Sequence, residues 1–491
     1  SIFIRENPWL NRTPNRLLKM IPDILASRYA STEISAIWSP EGKVRLEREF
    51  WIAVMKAQRN LGVDIPKTAI AAYEKVRDRI DLESISQRER KLRHDVKSRL
   101  EEFCELAGYE HIHKGLTSRD LTDNVEQLQI FRSLRILRIK AVAVLHHLAD
   151  RSLRTKEIMI VGRTHNVPAQ PTTLGKRLAM FGEEIMFALS RLDHLIEHYP
   201  LRGLQGAVGT RLDQLVLMNG DEKKARQLSR QVLEHFDCPA AMNAVGQVYP
   251  RSLDMETVQA LITLSSGISS FARTMRLMAG QGLATEGFQK GQVGSSAMPH
   301  KMNARTSERI NGFHQVLNGY GSMLSRLSGD QWNEGDVSCS VVRRVALQGA
   351  FFTSDGQLEA ALTVLSEMEF YEATIAQELR QYLPFLASTT LLMEAVRKGG
   401  GRESVHEAIK EHAVVVAEKL QKDELSQNDL AQRLAEDERV PLDLQEIEAV
   451  LNDPERFAAS APEQAETFAE KVEKWTGRFP EAKKIVPEEL I

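Results

Sequence analysis

Apolar residues recur every three or four positions along several stretches of the chain, the period of an α-helix with one buried face. The stripe from Leu261 to Met278 has spacings of 3, 4, 3, 4 and 3 residues. Similar stripes run from Phe131 to Leu148 and from Ile310 to Leu327. Asp123-x-x-Glu126, ahead of the second stripe, resembles a capping box, so we expect that helix to begin there.

The spacing of proline supports long helices, because proline interrupts a helix interior. No proline lies between Pro66 and Pro168 or between Pro299 and Pro384. Strict alternation of apolar and polar residues is almost absent. Helices of about 25–30 residues span roughly 40 Å and pack side by side as an elongated bundle. We therefore predict a mainly α protein, with an elongated central long-helix bundle flanked by smaller N- and C-terminal helical domains.

Three breaks interrupt this pattern. Gly108–Gly115 precedes the first long helix, segment 280–299 is rich in Gly and Ser, and Lys398–Arg402 contains three consecutive glycines. Gly and Ser clusters between periodic segments are typical of loops. The predicted domains are an N-terminal helical domain at 1–116, the central long-helix bundle at 117–370 with a loop at 280–304, and a C-terminal helical domain at 371–491.

Composition excludes several classes of function. The chain has 491 residues, with 64 Lys and Arg against 67 Asp and Glu, a net charge of −3. No basic field or aromatic-basic groove pattern favours nucleic acid, and the longest uncharged stretches, such as Thr257–Ala272, are too short and polar to span a membrane. Three widely spaced cysteines form no CxxC pair, so neither a disulfide framework nor a cysteine zinc site is expected. The first residues contain no apolar signal-peptide core, and we expect a cytoplasmic protein.

The glycine- and serine-rich loop contains the most informative segment, Gly294–Asn303. Backbone N–H groups next to glycine, followed by a helix start near Thr306, favour an anion. Lys301 adds a positive charge and Asn303 a neutral donor. The same donors would stabilise a serine alkoxide, which makes Ser295 a candidate base or nucleophile. The alternative is a flexible linker with capping serines.

Three histidine segments are further candidates. His165 lies in a polar, proline-punctuated turn that leads into an amphipathic helix, His113 precedes two hydroxyl residues, and His94 stands between a cation and a carboxylate. Histidine titrates near neutral pH and suits proton transfer. Each of them, taken alone, is more often a structural histidine or a helix cap. His111 and His113 resemble a metal pair, but no further spaced ligand completes a site, so we expect no metal.

Taken together, these motifs resemble the fumarase/aspartase superfamily of lyases, whose signature GSSxMPxKxN is matched at Gly294–Asn303. Within that superfamily the chain resembles the adenylosuccinate lyase family over nearly its whole length. The segments that carry this closer resemblance are Leu25–Ser31, Lys91–Val96, His113–Ser118, Thr164-His165, Gly246–Tyr249, Ser307–Arg309, Gly399–Glu403 and His406-Glu407.

The resemblance implies a non-hydrolytic cleavage of a C–N bond. The family releases fumarate from adenylosuccinate to give AMP, and from succinylaminoimidazole carboxamide ribotide to give the aminoimidazole carboxamide ribotide. This chemistry needs a base, donors that stabilise a carbanion and an acid for the leaving nitrogen, but no cofactor. The resemblance also implies a small-molecule nucleotide substrate and a homotetramer, in which long helices from four subunits form a common core and each active site draws on three subunits.

The resemblance also implies roles for individual residues. Ser295 matches the general base, His165 the general acid and Glu308 the carboxylate that keeps this acid protonated. Lys301 and Asn303 match residues that hold the succinyl carboxylates, and a mobile loop is expected to close over them. The remaining implied site residues are a second histidine, His113; hydroxyl donors Thr117, Ser118 and Thr164; a phosphate and ribose clamp of Arg28, Tyr29, Arg309, Ser340 and Arg344; and a nucleotide pocket of Arg93, His94, Asp95 and Gln247.

The chain departs from the family pattern at Ala304, Gly335 and Cys339, where the family often has Pro, Arg and Asp. A change of one position in the helix register would put Arg343 in the place of Arg344. Argininosuccinate lyase and fumarase share the signature loop but bind smaller substrates. A non-catalytic structural homo-oligomer of the same fold is the remaining alternative.

Overall fold

The computed structural model describes residues 23–287, 298 and 301–488. The N-terminal helices are α1 (Ile24–Arg28), α2 (Thr32–Trp38), α3 (Pro40–Asn60), α4 (Lys67–Val76), α5 (Leu82–Leu92) and α6 (Asp95–Ala107). The middle of the chain contains α7 (Ser118–Arg154), β1 (Met159–Thr164), β2 (Val167–Thr173), α8 (Leu174–Glu197), β3 (Pro200–Leu201), α9 (Leu212–Leu217), α10 (Glu222–His235), β4 (Ala240–Ala241), α11 (Ser252–Gly280), β5 (Ala284–Thr285), α12 (Arg305–Ser325), α13 (Cys339–Glu367) and β6 (Glu369–Phe370). The C-terminal part contains α14 (Glu372–Leu386), α15 (Ser388–Arg397), α16 (Arg402–Gln421), α17 (Leu430–Ala435), α18 (Leu444–Leu451) and α19 (Ala461–Arg478), with short 3₁₀ turns at Pro454–Ala458 and Pro480–Lys484.

Five long helices, α7, α8, α11, α12 and α13, form the central bundle, which confirms the predicted mainly α fold. The three apolar stripes predicted from the sequence lie on α7, α11 and α12. Their members are buried, as Leu134, Leu264 and Leu317 illustrate, except Tyr320 and Leu327, which are half-buried; Leu327 follows the end of α12. An apolar stripe of this kind stabilises a helix chiefly through tertiary packing. The hydrophobic period therefore predicts both the helices and the faces that they bury.

The bundle has two distinct ends. At one end, Arg343 near the start of α13 binds Asp254 of α11 at 2.7 Å and Glu126 of α7 at 2.5 Å, so these three helices begin together. We call this the cleft end. At the other end, Nε of Arg151, near the end of α7, donates to the carbonyl of Leu365, near the end of α13, at 2.9 Å. We call this the hairpin end, because the β1–β2 hairpin follows α7 there.

Helices α8 and α12 run in the opposite direction. The amide of Leu174, at the start of α8, donates to the carbonyl of Ile158 at 2.8 Å, just beyond the end of α7. Near the other end of α8, Gln127 of α7 donates to the carbonyl of Pro200 at 2.9 Å. Helix α12 begins beside β5, which pairs with β6 directly after α13. The start of α12 therefore lies at the hairpin end.

One local prediction was wrong, and a second was incomplete. Helix α7 begins at Ser118, and the carboxylate that caps it belongs to Asp120, which accepts the Thr117 amide at 2.9 Å. Asp123 and Glu126 lie inside the helix, where Arg251 and Arg343 from other segments bind them. His165 lies in a turn that leads into a helix, as predicted, but this turn is the tip of a β-hairpin whose two strands were not predicted. Its two prolines lie on β2, at the edge of a two-stranded sheet, where proline is tolerated.

The hydrophobic core is shared by the N-terminal helices and the bundle, since residues such as Trp51 and Tyr73 pack in the same cluster as α7. A separate cluster lies between Ala387 and Val450. Helix α19 returns to the bundle, where the ring of Phe468 fills the space beside Gly182 of α8. The domain boundaries near residues 116 and 370 remain predictions. In the described part of the chain, no helix combines the length and hydropathy needed to cross a bilayer.

Candidate active site

A cleft of about 390 Å³ opens at the cleft end of the bundle. Six of the predicted substrate-binding residues line it, from three separate segments of the chain: Arg93, His94, Asp95, Ser118, Ser340 and Arg344. Cationic side chains outnumber carboxylates on its walls, with Lys43, Arg93, Arg119, Arg343 and Arg344 against Glu89, Asp95 and Glu126. Such a cleft suits an anionic ligand, and arginine forks in particular suit phosphate.

The Arg93-His94-Asp95 wall is a tight junction between two helices. Arg93 ends α5 in the left-handed region at φ 54°, and His94 caps α6 through Nδ1, which accepts the Lys97 amide at 3.2 Å. Asp95, in the first turn of α6, pairs with Arg99 at 3.1 Å. Although burial opposes it, Arg99 helps to hold the pKa of Asp95 below its usual range. His94 is therefore the N-cap of α6, one of the roles expected from the sequence, and it also lines the cleft.

Three carboxylates on the first turns of α7 form the base of this end of the bundle. Each binds an arginine from another segment: Asp120 binds Arg202 at 2.5 Å, Asp123 binds Arg251 at 3.1 Å and Glu126 binds Arg343 at 2.5 Å. Arg202 and Asp120 are fully buried. Buried ion pairs of this kind fix the relative positions of the segments that they join more than they add to stability. The sequence gives no local signal for them, because the partners lie far apart in the chain.

The two neighbouring arginines of α13 have different environments. Arg343 is buried and also donates to the hydroxyl of Tyr249, and its carboxylate partners raise its pKa although burial opposes this. Arg343 and Lys43 in turn lower the pKa of Glu126 to about 2 against the effect of burial. Arg344 is exposed on the cleft wall. The geometry thus favours Arg344, and not Arg343, as the side chain free to meet a ligand.

His113 lies behind the cleft in a left-handed turn at φ 66°. The indole N–H of buried Trp51 donates to Nδ1 of His113 at 3.0 Å, so Nδ1 carries no proton. Burial lowers the pKa of His113 to about 4. His113 is therefore a neutral imidazole at neutral pH, with the proton on Nε2.

Thr164 and His165 lie exposed at the tip of the β1–β2 hairpin. Thr164 pairs with Val167, so His165 and Asn166 form a two-residue loop, with φ values of 52° and 62°. Positive φ at both positions is typical of the type I′ turn, which matches the twist of the strands. Below the tip, an ion pair between Arg163 and Glu378 fixes the hairpin to α14. His165 is thus exposed to solvent at the tip of a hairpin that is held against α14.

The start of α12 holds a second group of predicted residues. Lys301 and Glu308 are exposed and Asn303 is half-buried. The first amides of α12 are not open to a ligand, because Glu286 accepts the Thr306 amide at 2.8 Å and the Ser307 amide at 2.9 Å. The anion that the helix start was expected to attract is therefore a carboxylate of the chain itself. Ser295 lies outside the described residues.

Arg28 and Tyr29 lie between the two ends, and Arg309 lies one turn into α12, nearer the hairpin end. The Tyr29 ring packs edge-on against Phe313 at 5.1 Å, one helical turn beyond Arg309 on α12. The Tyr29 backbone lies against Gly356 of α13. Gly356 is twelve residues beyond Arg344 on the same helix, a separation of about 18 Å. One chain therefore does not bring all five predicted clamp residues together.

Gln247 does not line the cleft, and its backbone amide binds the carbonyl of Glu334 at 2.6 Å in the segment before α13. Conversely, Lys43 and Arg119 line the cleft without having been predicted. Arg119 directly follows Ser118, but Lys43 enters from α3, and only the packing of α3 on α7 brings it there. Within the described residues no hydrogen bond or ion pair joins Glu308 to His165.

The predicted site residues at the cleft end lie far from those at the hairpin end. Along α7, Ser118 and Arg154 are about 54 Å apart. A hairpin arm of six residues reaches back no more than about 20 Å. The cleft residues and His165 of one chain are therefore too far apart to act on one small molecule.

Comparison with known proteins agrees with this architecture. Residues 30–319 match the family described as "Lyase". The 3-carboxy-cis,cis-muconate lactonizing enzyme of Pseudomonas putida has 18% sequence identity, a TM-score of 0.79 and coverage of 93% of this chain and 100% of its own. A fumarate lyase from Mesorhizobium sp. BNC1 has 18% identity and a TM-score of 0.76, with coverage of 90% and 98%. The fold and the family match define a lyase of the fumarase/aspartase type.

More specific matches identify the family to which the chain belongs within this class of lyases. Residues 384–468 match the region described as "Adenylosuccinate lyase C-terminus". The adenylosuccinate lyase of Saccharomyces cerevisiae is 31% identical over 458 residues, covering 91% of this chain and 93% of its own. That of Archaeoglobus fulgidus is 27% identical over 450 residues, with coverage of 91% and 98%. The chain belongs to the adenylosuccinate lyase family.

The neutral state of His113 predicts a pH dependence of stability. The folded pKa of about 4 lies below the ordinary value of 6.5, so the unfolded chain binds the proton more readily. The stabilisation is complete above pH 6.5 and is lost as pH falls toward 4, on the order of 2 kcal/mol. Denaturant unfolding at several pH values should show a flatter dependence for His113→Gln than for the parent. Trp51→Phe, which removes the donor to Nδ1, should lie between them, and identical curves for all three proteins would contradict the assignment.

The different environments of Arg343 and Arg344 on α13 predict different losses of stability when each is replaced. Arg343→Met removes the arginine partner of buried Asp254 and of half-buried Glu126, which keeps Lys43, and should lower the free energy of unfolding by about 3–5 kcal/mol. Arg344→Met, the matched control on the same helix, should change it by no more than about 0.5 kcal/mol, because its side chain is exposed. Denaturant unfolding of both variants measures the difference. Equal losses would show that the buried network does not hold this end of the bundle.

Proposed function

We propose that this protein is an enzyme that removes fumarate from adenylosuccinate, leaving AMP, and from succinylaminoimidazole carboxamide ribotide, leaving the aminoimidazole carboxamide ribotide. The observation that carries the proposal is its similarity to adenylosuccinate lyases over 91% of its length, including the C-terminal region named for that family. The cationic cleft at the cleft end supports a substrate that bears a phosphate.

In the proposed reaction, Ser295 acts as the alkoxide, its hydroxyl proton having been released to solvent, and takes a proton from the succinyl carbon beside a carboxylate. The electron pair left on that carbon is delocalised into the carboxylate, which Lys301 and Asn303 hold. It then forms the double bond of fumarate as the C–N bond breaks, and its bonding electrons leave with the nitrogen. His165 gives that nitrogen a proton, and Glu308 is proposed to keep His165 charged for this step. Enclosure by backbone N–H groups and the Lys301 ammonium would make the weak serine hydroxyl a competent base.

The substrate contacts are proposed from the same resemblance. Arg344 and Ser340, with Arg28, Tyr29 and Arg309, would bind the phosphate and ribose, and Arg93, His94, Asp95 and Gln247 the nucleotide. Thr117, Ser118 and Thr164 would donate hydroxyl hydrogen bonds, and neutral His113 would donate from Nε2. The separation of about 54 Å along α7 supports a site assembled from several chains.

The oligomer proposed is a homotetramer whose long helices pack in a common core. Large apolar side chains are exposed on all five bundle helices, including Phe187 of α8 at 58%, Leu277 of α11 at 47% and Val345 of α13 at 52%. Exposed apolar surface on a bundle is typical of a protein–protein contact. Antiparallel packing of such chains would bring the hairpin end of one against the cleft end of another. The cytoplasmic location expected from the sequence remains a prediction.

The direct test is to incubate the purified protein with adenylosuccinate and to measure AMP and fumarate. Argininosuccinate and malate, tested in parallel, identify a relative that acts on a smaller substrate. Turnover of adenylosuccinate alone supports the proposal. Turnover of only another substrate, or of none by a folded oligomer, contradicts it and favours the related lyases or a structural protein.

Removal of either proton-transfer group should reduce turnover strongly. Ser295→Ala and His165→Ala are each expected to lower kcat by about 10²–10⁴, the range of general acid–base catalysis. The matched control His235→Ala removes a histidine of α10 that is outside the proposed site. Steady-state kinetics of the three variants measures the effect. Near-parental kcat in Ser295→Ala would place the base elsewhere.

Site sharing predicts complementation between inactive variants. His165→Ala alters the hairpin end and His113→Gln the cleft end, so a mixed oligomer contains some sites with both groups intact. After dissociation and reassembly of an equal mixture, activity should recover to about a quarter of the parental value, as random assembly of a symmetric oligomer gives. Each variant reassembled alone is the control. A mixture no more active than its components would show that each chain supplies its own complete site.

A further inference from the structure

A buried ammonium lies between α7 and α13 at the level of the Arg28–Tyr29 turn. Lys140 of α7 binds Asp355, and it binds Glu359 at 2.6 Å, one turn further along α13. The exposed fraction is 8% for the Lys140 side chain, 0% for Asp355 and 1% for Glu359. The two carboxylates raise the pKa of Lys140 although burial opposes this, so the side chain stays charged. A single ammonium between two carboxylates leaves carboxylate oxygens that need other donors.

Those oxygens bind segments from the two extremes of the described chain. Asp355 Oδ2 accepts the Ser31 amide at 2.5 Å, and Lys140 donates to the Ser31 hydroxyl at 2.9 Å. Glu359 Oε2 accepts the Glu488 amide at 2.8 Å. The Glu488 carboxylate in turn accepts the Thr32 amide at 3.1 Å and the Thr32 hydroxyl at 3.2 Å. The C-terminal segment therefore closes over the start of α2, and both are fixed to the same buried charges.

The anchored residues directly follow Arg28 and Tyr29. A Cβ built on Gly356, the neighbour of Asp355, would lie 2.9 Å from Cβ of Tyr29 and 3.0 Å from its carbonyl oxygen, so the turn is seated closely on α13. The Tyr29 ring is held by Phe313, and the Arg28 guanidinium lies 5.9 Å from the centre of that ring. With Ser31 and Thr32 fixed, the turn has little freedom to shift along the bundle.

We propose that the Lys140–Asp355–Glu359 cluster, completed by Glu488 of the C-terminal segment, positions the Arg28–Tyr29 turn for the phosphate-bearing part of the substrate. The inference rests on the function proposed above, which gives Arg28 and Tyr29 their ligand. These four residues are positioning residues, since their contacts are with the chain. Glu488 is the member best suited to a test, because it is exposed and its loss leaves the buried ion pairs intact.

Glu488→Ala should raise the KM for adenylosuccinate by about three- to tenfold, the effect of losing hydrogen bonds to a charged acceptor, with kcat nearly unchanged. Glu488→Gln retains an acceptor oxygen for Thr32 and should restore most of the parental KM. The matched control is Glu481→Ala, an exposed glutamate of the same segment for which the structure gives no side-chain partner within the described residues. Its kinetics should equal those of the parent.

Two further measurements separate positioning from a general loss of stability. Hydrogen exchange of the peptide that contains residues 28–34 should be faster in Glu488→Ala, while peptides from α11 and α12 remain unchanged. In an Arg28→Ala background, adding Glu488→Ala should raise KM no further, because the effect passes through the turn. An unchanged KM, a KM effect that adds fully to that of Arg28→Ala, or a fall in kcat alone would overturn the inference. These results require an active parent, so they are distinct from failure of the parent to convert adenylosuccinate, which would overturn both proposals.

Discussion

The length and stiffness of α7 constrain everything else in the molecule. A helix of 37 residues holds the cleft residues at one end and the histidine hairpin at the other, about 54 Å apart. Because α8, α11, α12 and α13 pack along it, no bending of a single chain brings the two groups together. The bundle therefore fixes the distance between these two groups and also forms the hydrophobic core. Within one chain, the cleft residues and His165 therefore cannot contact the same small molecule.

Buried ion pairs fix the positions of the helices relative to one another at two levels along the bundle. At the cleft end, Asp120, Asp123 and Glu126 each bind an arginine from a separate segment, so the starts of the helices are fixed against each other. Further along, Lys140 is held between Asp355 and Glu359 and fixes the N-terminal turn. Apolar packing alone tolerates small slips between helices, whereas a buried charge that loses its partner is strongly destabilising. The ion pairs therefore set the positions of the helices relative to one another more strictly than apolar packing does.

The contrast between neighbouring residues shows how the fold assigns roles. Arg343 and Arg344 are adjacent and chemically identical, yet one is enclosed by carboxylates and the other faces the cleft. Similarly, the amides at the start of α12 suit an anion, and Glu286 occupies them. In both cases a residue that could bind a ligand is already satisfied by the chain. Exposure, and not residue type, therefore separates Arg344 from Arg343.

The sequence by itself determined the long helices and their buried faces, because the apolar period and the proline-free stretches are local properties of the chain. It also determined the family, through short motifs whose residues remain recognisable wherever the fold carries them. Only the tertiary structure decided that Thr117 and Asp120 start α7, that His165 lies on a hairpin tip, that Lys43 reaches the cleft and that Arg344, not Arg343, is exposed. Each of these depends on a partner far away in the chain, and neither periodicity nor local spacing records which distant segment will supply it.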